Sequence, residues 1–154
     1  MMSVSYVDFD QLSPGRLYEL LRLRSRVFVV EQQSIYLDCD DHDQTARHVL
    51  LIGADHSLSA CARILPPGAL AQTPVIGRVV VAPEQRGRGL GYQLMSAAVR
   101  ECLRLYPDQP IHLSAQRHLH RFYAACGFAR DSEPYLEDGI WHIGMTRPAA
   151  AMEG

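Results

Sequence analysis

The chain has 154 residues, of which 47% are hydrophobic and 21% charged, and its formal net charge is -2. This composition is typical of one folded domain with one core, and it excludes a disordered chain. Without a basic excess, nucleic acid is not an expected partner. No apolar run approaches the roughly 18 residues of a membrane helix. Residues 1–11 also lack the apolar region of a signal peptide, so we expect no membrane association.

The four cysteines are far apart in the sequence, and none belongs to a C-x-x-C pair. This pattern predicts reduced thiols in a cytoplasmic protein and argues against a zinc site. His112, His118 and His120 match no standard zinc spacing. The acidic residues between Asp38 and Asp43 lack the glycine of a calcium loop. We therefore expect no metal, and we interpret the acidic segment as a solvated rim that could attract a cationic amine.

The first half of the chain predicts a strand, a helix and a hairpin. Residues 4–9 alternate weakly and can form a strand. Ser13-Pro14 is typical of a helix N-cap followed by proline at the first helical position, and apolar residues then recur at the helical period to about residue 30. The polar residues 33–45 predict a loop or a short irregular helix. Residues 48–52 and 58–65 predict an antiparallel hairpin.

The second half predicts two further helices and four strands. The predicted strands are residues 75–82, 111–115, 128–136 and 140–146, and the helices follow residue 91 to about 105 and span 117–126. Gly127 fits the position after a helix end, and Glu137-Asp138-Gly139 is a strong hairpin-turn signal. The resulting order, β-α-β-β-β-α-β-α-β-β, predicts a mixed α/β fold.

A glycine-rich turn, Arg86-Gly87-Arg88-Gly89-Leu90-Gly91, connects the strand at 75–82 to the following helix. Free N–H groups and the helix dipole favour an anion at such a helix start. A P-loop would need a lysine, which is absent here. A dinucleotide fingerprint would need a third glycine, but Tyr92 or Leu94 occupies its position. From the turn alone, a helix entry without any ligand stays open.

One phosphate-binding motif does fit, namely R/Q-x-x-G-x-G/A, through Arg86, Gly89 and Gly91. This motif resembles the acyl-CoA signature of the GCN5-related N-acetyltransferase (GNAT) superfamily. Residues 79–83 resemble the family's strand 4, and residues 121–128 resemble its later "FY…GF" segment. The resemblance extends over residues 4–147, which we expect to be the core of a single domain spanning 1–154.

A closer resemblance is to the ElaA and YjcF type of acetyltransferase. It rests on residues 24–32, followed by Asp40, Asp43 and His48, and on residues 137–145. The acyl-homoserine-lactone synthases are similar in the R-x-x-V-F segment but are usually longer. Members of the ElaA-like group mostly lack a defined substrate, so this resemblance does not identify an acceptor.

The resemblance implies both a fold and an activity. The fold is a central, mixed and mostly antiparallel sheet of about six or seven strands, flanked by about four helices and splayed between strands 4 and 5. The activity is transfer of an acetyl group from acetyl-CoA to a primary amine of a small molecule or peptide, by direct attack in a ternary complex. A non-catalytic acyl-CoA-binding module and an acyl-homoserine-lactone-type transfer are the alternatives. The assembly would be a monomer or a homodimer.

The resemblance also implies a set of CoA-binding residues. They are Val79, Val80, Val81, Arg86, Gly87, Arg88, Gly89, Leu90, Gly91, Tyr92, Gln116 and Tyr123. The Val79 and Val81 backbones would pair with the pantetheine arm like an added strand, and the Val81 N–H would stabilise the oxyanion. Tyr123 would be the general acid that protonates the departing thiolate, because a phenol is protonated at neutral pH.

The general base is less defined by the sequence. Glu31 follows the first helix, in a segment that the family uses for the acceptor pocket. His48 and His142 carry imidazoles, which titrate near neutral pH. A structural role is an alternative for each of these three residues, and a bound water could also relay the proton.

Overall fold

The computed structural model describes residues 2–149, which form a mixed sheet with helices on both faces. The strands are β1 (Ser3–Asp8), β2 (Arg47–Ile52), β3 (Leu58–Leu65), β4 (Val75–Val81), β5 (Ile111–Gln116), β6 (Ala129–Arg130), β7 (Tyr135–Glu137) and β8 (Ile140–Arg147). They form one eight-stranded sheet in the order β1-β2-β3-β4-β5-β8-β6, with β7 also paired to β8. Only β4 and β5 run parallel.

Three α-helices accompany the sheet: α1 (Pro14–Arg24), α2 (Leu90–Leu105) and α3 (His120–Ala125). The Ser13 side chain accepts a hydrogen bond from the Arg16 N–H at 3.1 Å, which confirms the predicted N-cap. After Arg24 the chain continues as a π-helical segment, Ser25–Glu31, which we call the π segment. Within residues 2–149, no helix is long and apolar enough to cross a membrane.

The core has two sides because strand side chains alternate between the faces of the sheet. Val49 and Leu51 of β2 pack in the cluster that contains α2. Leu50, between them, packs in the cluster that contains Leu20 of α1. Every residue of β3 is buried, as expected for a strand covered on both faces.

A β-bulge in β4 lies in the part of the strand where the sheet opens. Cys61 lies opposite Val80 and Arg63 lies opposite Gly77, so β4 contains one residue more than β3 between these pairs. Arg78, in the bulge, has a φ of 50°, which is uncommon for a residue with a side chain. Beyond the pair Val75–His112, β4 and β5 separate. The predicted mixed sheet, splayed between its fourth and fifth strands, is confirmed.

The strand count differs from the expected six or seven. The predicted strand at 128–136 is divided into β6 and β7, because Pro134 has no N–H for a ladder. Ser132 instead accepts a hydrogen bond from the Gly144 N–H at 2.7 Å. The predicted β7–β8 hairpin is present, and Asp138 and Gly139 at its turn both have positive φ, at 51° and 79°.

All four cysteines, Cys39, Cys61, Cys102 and Cys126, are free thiols, as expected from their spacing. After the expected core at 4–147, residues 148 and 149 also belong to the described structure, and Ala149 is buried. Residues 150–154 lie outside the described part of the chain.

The prediction of a solvated acidic rim is wrong for three of its four aspartates. Asp38 and Asp43 are buried and bind Arg24, whose Nε and Nη1 lie 2.8 Å and 2.7 Å from their carboxylates. Asp40 pairs with Arg63, which also binds Asp43 at 3.0 Å. These residues form a buried ion-pair network, so their charge is neutralised internally and is not available to attract an acceptor.

His48 lies beneath this network and is expected to reduce stability in mildly acidic solution. Its Nε2 donates to the Asp43 carbonyl at 2.9 Å. Burial lowers its pKa from the usual value of about 6.5, aided by Arg24 and Arg63. As the pH falls, His48 therefore takes up a proton in the unfolded chain before it does so in the folded chain. The stability present above about pH 6.5 is lost as the pH falls towards the lower folded-state pKa.

In this pH window the free energy of unfolding should change by at most about 1.4 kcal/mol per pH unit. Urea unfolding between about pH 7 and 5 measures it, because the pKa of Asp43, the carboxylate bound by both arginines, is lowered from an ordinary value that already lies below this range. His48→Gln retains the N–H donor and removes the titrating ring, so its slope should be shallower. Equal slopes for both proteins would contradict this assignment.

Candidate functional site

A cavity of about 400 Å³ occupies the gap between the separated halves of β4 and β5. It has a backbone wall from β4, a wall from β5 and α3, and an end formed by the π segment and the β7–β8 hairpin. The residues that line it include Glu31, Gln32, Ser34, Tyr36, Arg78, Val79, Val80, Val81, Arg86, Ser114, Gln116, Tyr123, Glu137, Asp138, Ile140 and His142. This volume is typical of a small-ligand site.

The edge of β4 presents free peptide groups to this cavity. The Ala82 N–H donates to the Ser59 carbonyl at 2.8 Å, and so points towards β3. Peptide groups alternate in direction along a strand, so the Val81 N–H points the other way, towards the opened β5 side. The Val81 N–H therefore faces the cavity rather than a neighbouring strand, and Val79, which lies in the bulge, also lines the cavity.

The start of α2 leaves several N–H groups without an intrahelical acceptor. Gly89 is the N-cap, with a φ of 75° that favours glycine, and no side chain caps this end. The first intrahelical bond is from Gln93 N to Gly89 O, at 3.2 Å. The N–H groups of Leu90, Gly91 and Tyr92 precede it and have the arrangement that binds anions.

Not every residue of the glycine turn has the position expected from the sequence. A Cβ on Gly91 would lie 3.2 Å from two atoms of the Phe122 ring, so this glycine permits contact with α3 rather than approach of a ligand. Leu90 is a core residue. Tyr92 packs on Phe122 at 4.8 Å. The Arg88 guanidinium is exposed and donates to Gln85 at 3.2 Å. The contact between Gly91 and Phe122 thus connects the glycine-rich turn to the "FY…GF" segment.

Tyr123 is held in place by aromatic neighbours and faces the cavity. Its ring makes edge contacts with Phe122 and Phe128 at centroid distances of 4.9 Å and 6.4 Å. Only 7% of the residue is exposed, and within residues 2–149 its hydroxyl makes no hydrogen bond. Burial raises its pKa well above 10, so the phenol is a stable proton donor at neutral pH.

Glu31 and Arg86 form a bidentate ion pair across the mouth of the cavity. The Arg86 Nη1 and Nη2 lie 3.0 Å and 2.6 Å from the two carboxylate oxygens. The hydrogen bonds from Arg86 lower the pKa of Glu31. A carboxylate engaged in this way is a weak proton acceptor, and the pair connects the π segment to the glycine turn.

Two further contacts hold the π segment and the loop after it against the cavity. Gln32 and Gln116 exchange amide hydrogen bonds, with Gln116 donating at 3.1 Å. Ser34 donates to the Asp138 carbonyl at 2.7 Å, which attaches this loop to the β7–β8 turn. Gln116, predicted to contact CoA, therefore has a protein partner on the opposite wall.

Tyr36 and Arg78 lie at the same end of the cavity and are fixed by the ion-pair network. Tyr36 donates to Asp38 at 2.8 Å, and the Arg78 guanidinium carbon lies 5.6 Å from its ring centroid. The Arg78 Nη2 donates to the Asp38 carbonyl at 3.0 Å. Its Nε is close to the Asp38 carboxylate, at 2.8 Å, without hydrogen-bond alignment. The network therefore shapes the cavity although most of its members lie outside it.

His142 is the one predicted base that combines a free ring nitrogen with a position in the cavity. Its Nδ1 lies 2.7 Å from the Ile140 carbonyl, and because a carbonyl only accepts, Nδ1 carries the proton. In the neutral ring, Nε2 is then an acceptor. It lies 3.4 Å from the Glu137 carboxylate. His48, by contrast, does not line the cavity and is occupied with Asp43.

Several lining residues were not predicted from the sequence: Gln32, Ser34, Tyr36, Arg78, Ser114, Glu137 and Asp138. The loop after the π segment and the hairpin turn are polar, like any exposed loop, so neither pattern indicates a cavity. The clearest indication in the sequence is at Arg24. An arginine on an apolar helix stripe requires a buried acidic partner, which points to the ion-pair network that fixes this end of the cavity. Within residues 2–149, no cluster of side chains could hold a metal ion.

Comparison with known proteins agrees with this geometry. The family model for the acetyltransferase (GNAT) domain matches residues 30–148. The chain belongs to the GNAT acetyltransferase family. The protein ElaA of Escherichia coli (strain K12) is 48% identical over 140 residues, which cover 90% of this chain and 91% of ElaA. The resemblance to the ElaA type is thereby confirmed.

Two solved structures share this GNAT fold closely. The crystal structure of Escherichia coli ElaA has a TM-score of 0.89 at 44% identity, covering 96% of this chain and 99% of that one. An acyl-CoA N-acyltransferase from Pseudomonas aeruginosa has a TM-score of 0.89 at 42% identity, with the same coverage. The acyl-homoserine lactone synthase BjaI has a TM-score of 0.77 at 18% identity, covering 95% and 82%, and shares the fold alone.

Proposed function

We propose that this GNAT protein transfers an acetyl group from acetyl-CoA to a primary amine of a small molecule or peptide. The observation that carries the proposal is the splayed gap, where Val79, Val81 and Tyr123 line one cavity. We assign the reaction to a single domain with its core at residues 4–147, acting in the cytoplasm as a monomer or homodimer.

The CoA end of the site is supported by the backbone. The free N–H groups of Leu90, Gly91 and Tyr92, together with those of Gly87 and Gly89, can hold the pyrophosphate at the start of α2. The pantetheine arm would add to the free edge of β4. Arg86 and Arg88 contribute positive charge, although Arg86 is shared with Glu31. Val80 and Gln116 would border the arm.

The chemical step needs a base, an oxyanion donor and an acid. His142 accepts a proton from the ammonium form of the acceptor through Nε2, and the neutral amine then attacks the thioester carbonyl carbon. The Val81 N–H stabilises the resulting oxyanion. As the C–S bond breaks, Tyr123 donates its proton to the thiolate, and the second proton lost by the attacking nitrogen restores the phenol. Glu31 and His48 are weaker choices because each already has a partner, while a water relay would serve if the amine does not reach His142 directly.

A thiol-release screen tests this function. Purified protein with acetyl-CoA should release CoA thiol on addition of at least one member of a panel of polyamines, amino acids, aminoglycosides and peptide N-termini. Mass spectrometry should show one added acetyl group on that amine. Saturable acetyl-CoA binding without release across the panel would favour the non-catalytic acyl-CoA-binding module, and lactone formation from S-adenosylmethionine would favour the synthase.

A further inference from the structure

The end of the cavity at the β7–β8 hairpin, which we call the acceptor end, carries carboxylates whose one ion-pairing neighbour within residues 2–149 is the His142 ring. The charged side chains lining the whole cavity are Glu31, Arg78, Arg86, Glu137 and Asp138. Glu31 is paired with Arg86 at 2.6 Å. Arg78 lies 2.8 Å from Asp38. This leaves Glu137 and Asp138, two adjacent carboxylates on the β7–β8 hairpin, without an arginine or lysine partner within residues 2–149.

Glu137 differs from Asp138 because it faces His142. Glu137 and Ile140 are paired across the hairpin, as are Tyr135 and His142, so the Glu137 and His142 side chains share one face. The His142 ring is stacked on Tyr135 at a centroid distance of 6.1 Å and only 10% of its side chain is exposed. The ring is therefore fixed, with Nε2 presented towards the Glu137 carboxylate at 3.4 Å.

This arrangement brings two hydrogen-bond acceptors together. When the His142 ring is neutral, its proton is on Nδ1 and Nε2 has a lone pair, while a carboxylate oxygen of Glu137 only accepts. Two such atoms repel unless a donor lies between them. A primary ammonium has three N–H donors and a positive charge, and can satisfy both at once. Ser114, 3.5 Å from the same Glu137 oxygen, borders this position.

The geometry points to Glu137 as the residue that selects a cationic primary amine, holding its ammonium between Oε2 and the His142 Nε2. This inference rests on the proposed function and deepens it. On transfer of one ammonium proton to Nε2, the amine becomes neutral and nucleophilic, while the imidazolium gains Glu137 as its counter-ion. The proton is later lost to solvent, so the net reaction is ammonium plus acetyl-CoA to amide, CoA thiol and one proton.

Amine binding to the protein saturated with CoA, measured by calorimetry, tests this inference directly. The probes are spermidine, alaninamide and tyramine, with tyrosol as the uncharged partner of tyramine because a hydroxyl replaces its amine. We expect at least one amine to bind and tyrosol not to bind. Glu137→Gln should weaken amine binding about tenfold to a hundredfold, as expected for one charge-assisted hydrogen bond. The CoA affinity should not change.

Asp138→Asn is the matched control, since it removes the same charge from the adjacent residue and asparagine tolerates the positive φ of this turn. We expect it to change amine affinity less than about threefold, because an exposed charge without direct contact acts only through a screened field. Equal losses in both variants, an unchanged affinity in Glu137→Gln, or no binding of any amine to the wild type would each overturn the inference.

Thiol release measured on the same proteins separates this inference from the proposed function. Glu137-dependent amine binding without CoA release would remove the acetyltransferase proposal and leave the ammonium site intact. Where release occurs, Glu137→Gln should raise the amine KM by the same factor as the binding constant and leave the acetyl-CoA KM unchanged. A loss confined to kcat would contradict a role in selecting the acceptor.

Discussion

Replacing Tyr123 by phenylalanine should lower kcat about a hundredfold or more, the range in which a general acid contributes. The substitution removes one oxygen and retains the ring that packs between Phe122 and Phe128. Acetyl-CoA affinity should change little, because the hydroxyl acts on the thiolate that forms as the C–S bond breaks. Steady-state kinetics with acetyl-CoA titration and an independent binding measurement separate these two quantities.

Tyr106→Phe provides the control. This tyrosine, at the end of α2, packs partly buried against the same core cluster and does not line the cavity. Its kcat should equal that of the wild type. Because burial raises the Tyr123 pKa well above 10, deprotonation of Tyr123 should cause no fall in kcat up to about pH 9. An unchanged kcat in Tyr123→Phe would remove this residue from the acid role.

Replacing Arg24 by methionine should destabilise the fold by about 3–5 kcal/mol. Arg24 is 1% exposed and binds the carboxylates of both Asp38 and Asp43. Burial opposes ionisation of Asp43, but hydrogen bonds from Arg24 and Arg63 outweigh it and lower its pKa. Without Arg24, these buried charges lose their nearest partner, although Arg63 and Arg78 retain part of the compensation. Urea unfolding at neutral pH measures the loss.

Arg26→Met is the matched control, two residues further along the same helical stretch. Arg26 pairs with Glu84 at 2.9 Å, but both side chains are about half exposed, so its removal should cost at most about 1 kcal/mol. Similar losses in the two variants would show that the network contributes no more than a surface pair. Arg24→Lys, which preserves the charge, gives a measurable protein should the methionine variant fail to fold.

The network also has a functional consequence. It attaches the loop after the π segment to β3 and β4 through Arg63 and Arg78, and this loop carries Ser34 and Tyr36 into the cavity. Residues outside the cavity therefore position the end of the site where we propose that the acceptor binds. In a protein of this size, a buried network of this kind fixes one arrangement of a loop that has few apolar contacts of its own.

The order of elements and the proposed CoA half of the site could be predicted from the sequence because both depend on local patterns. A proline and glycine-rich turn between a β-branched strand and an amphipathic helix defines a backbone anion site wherever the chain folds. Ser13 and Gly127 mark helix ends by their own conformational preferences. The neighbouring "FY…GF" segment made Tyr123 recognisable by resemblance to a family, and the described structure places it in the cavity.

The acceptor half was decided only by the tertiary structure. The sequence predicts that Asp38 and Asp43 are solvated. In the fold, Arg24 of α1 and Arg63 of β3 lie against them. Pairing across the β7–β8 hairpin sets Glu137 beside His142. The gap they face lies where β4 contains a bulge that no residue pattern predicts. The role of a charged or polar group depends on partners that are distant in the chain, and the sequence alone does not specify which partners those are.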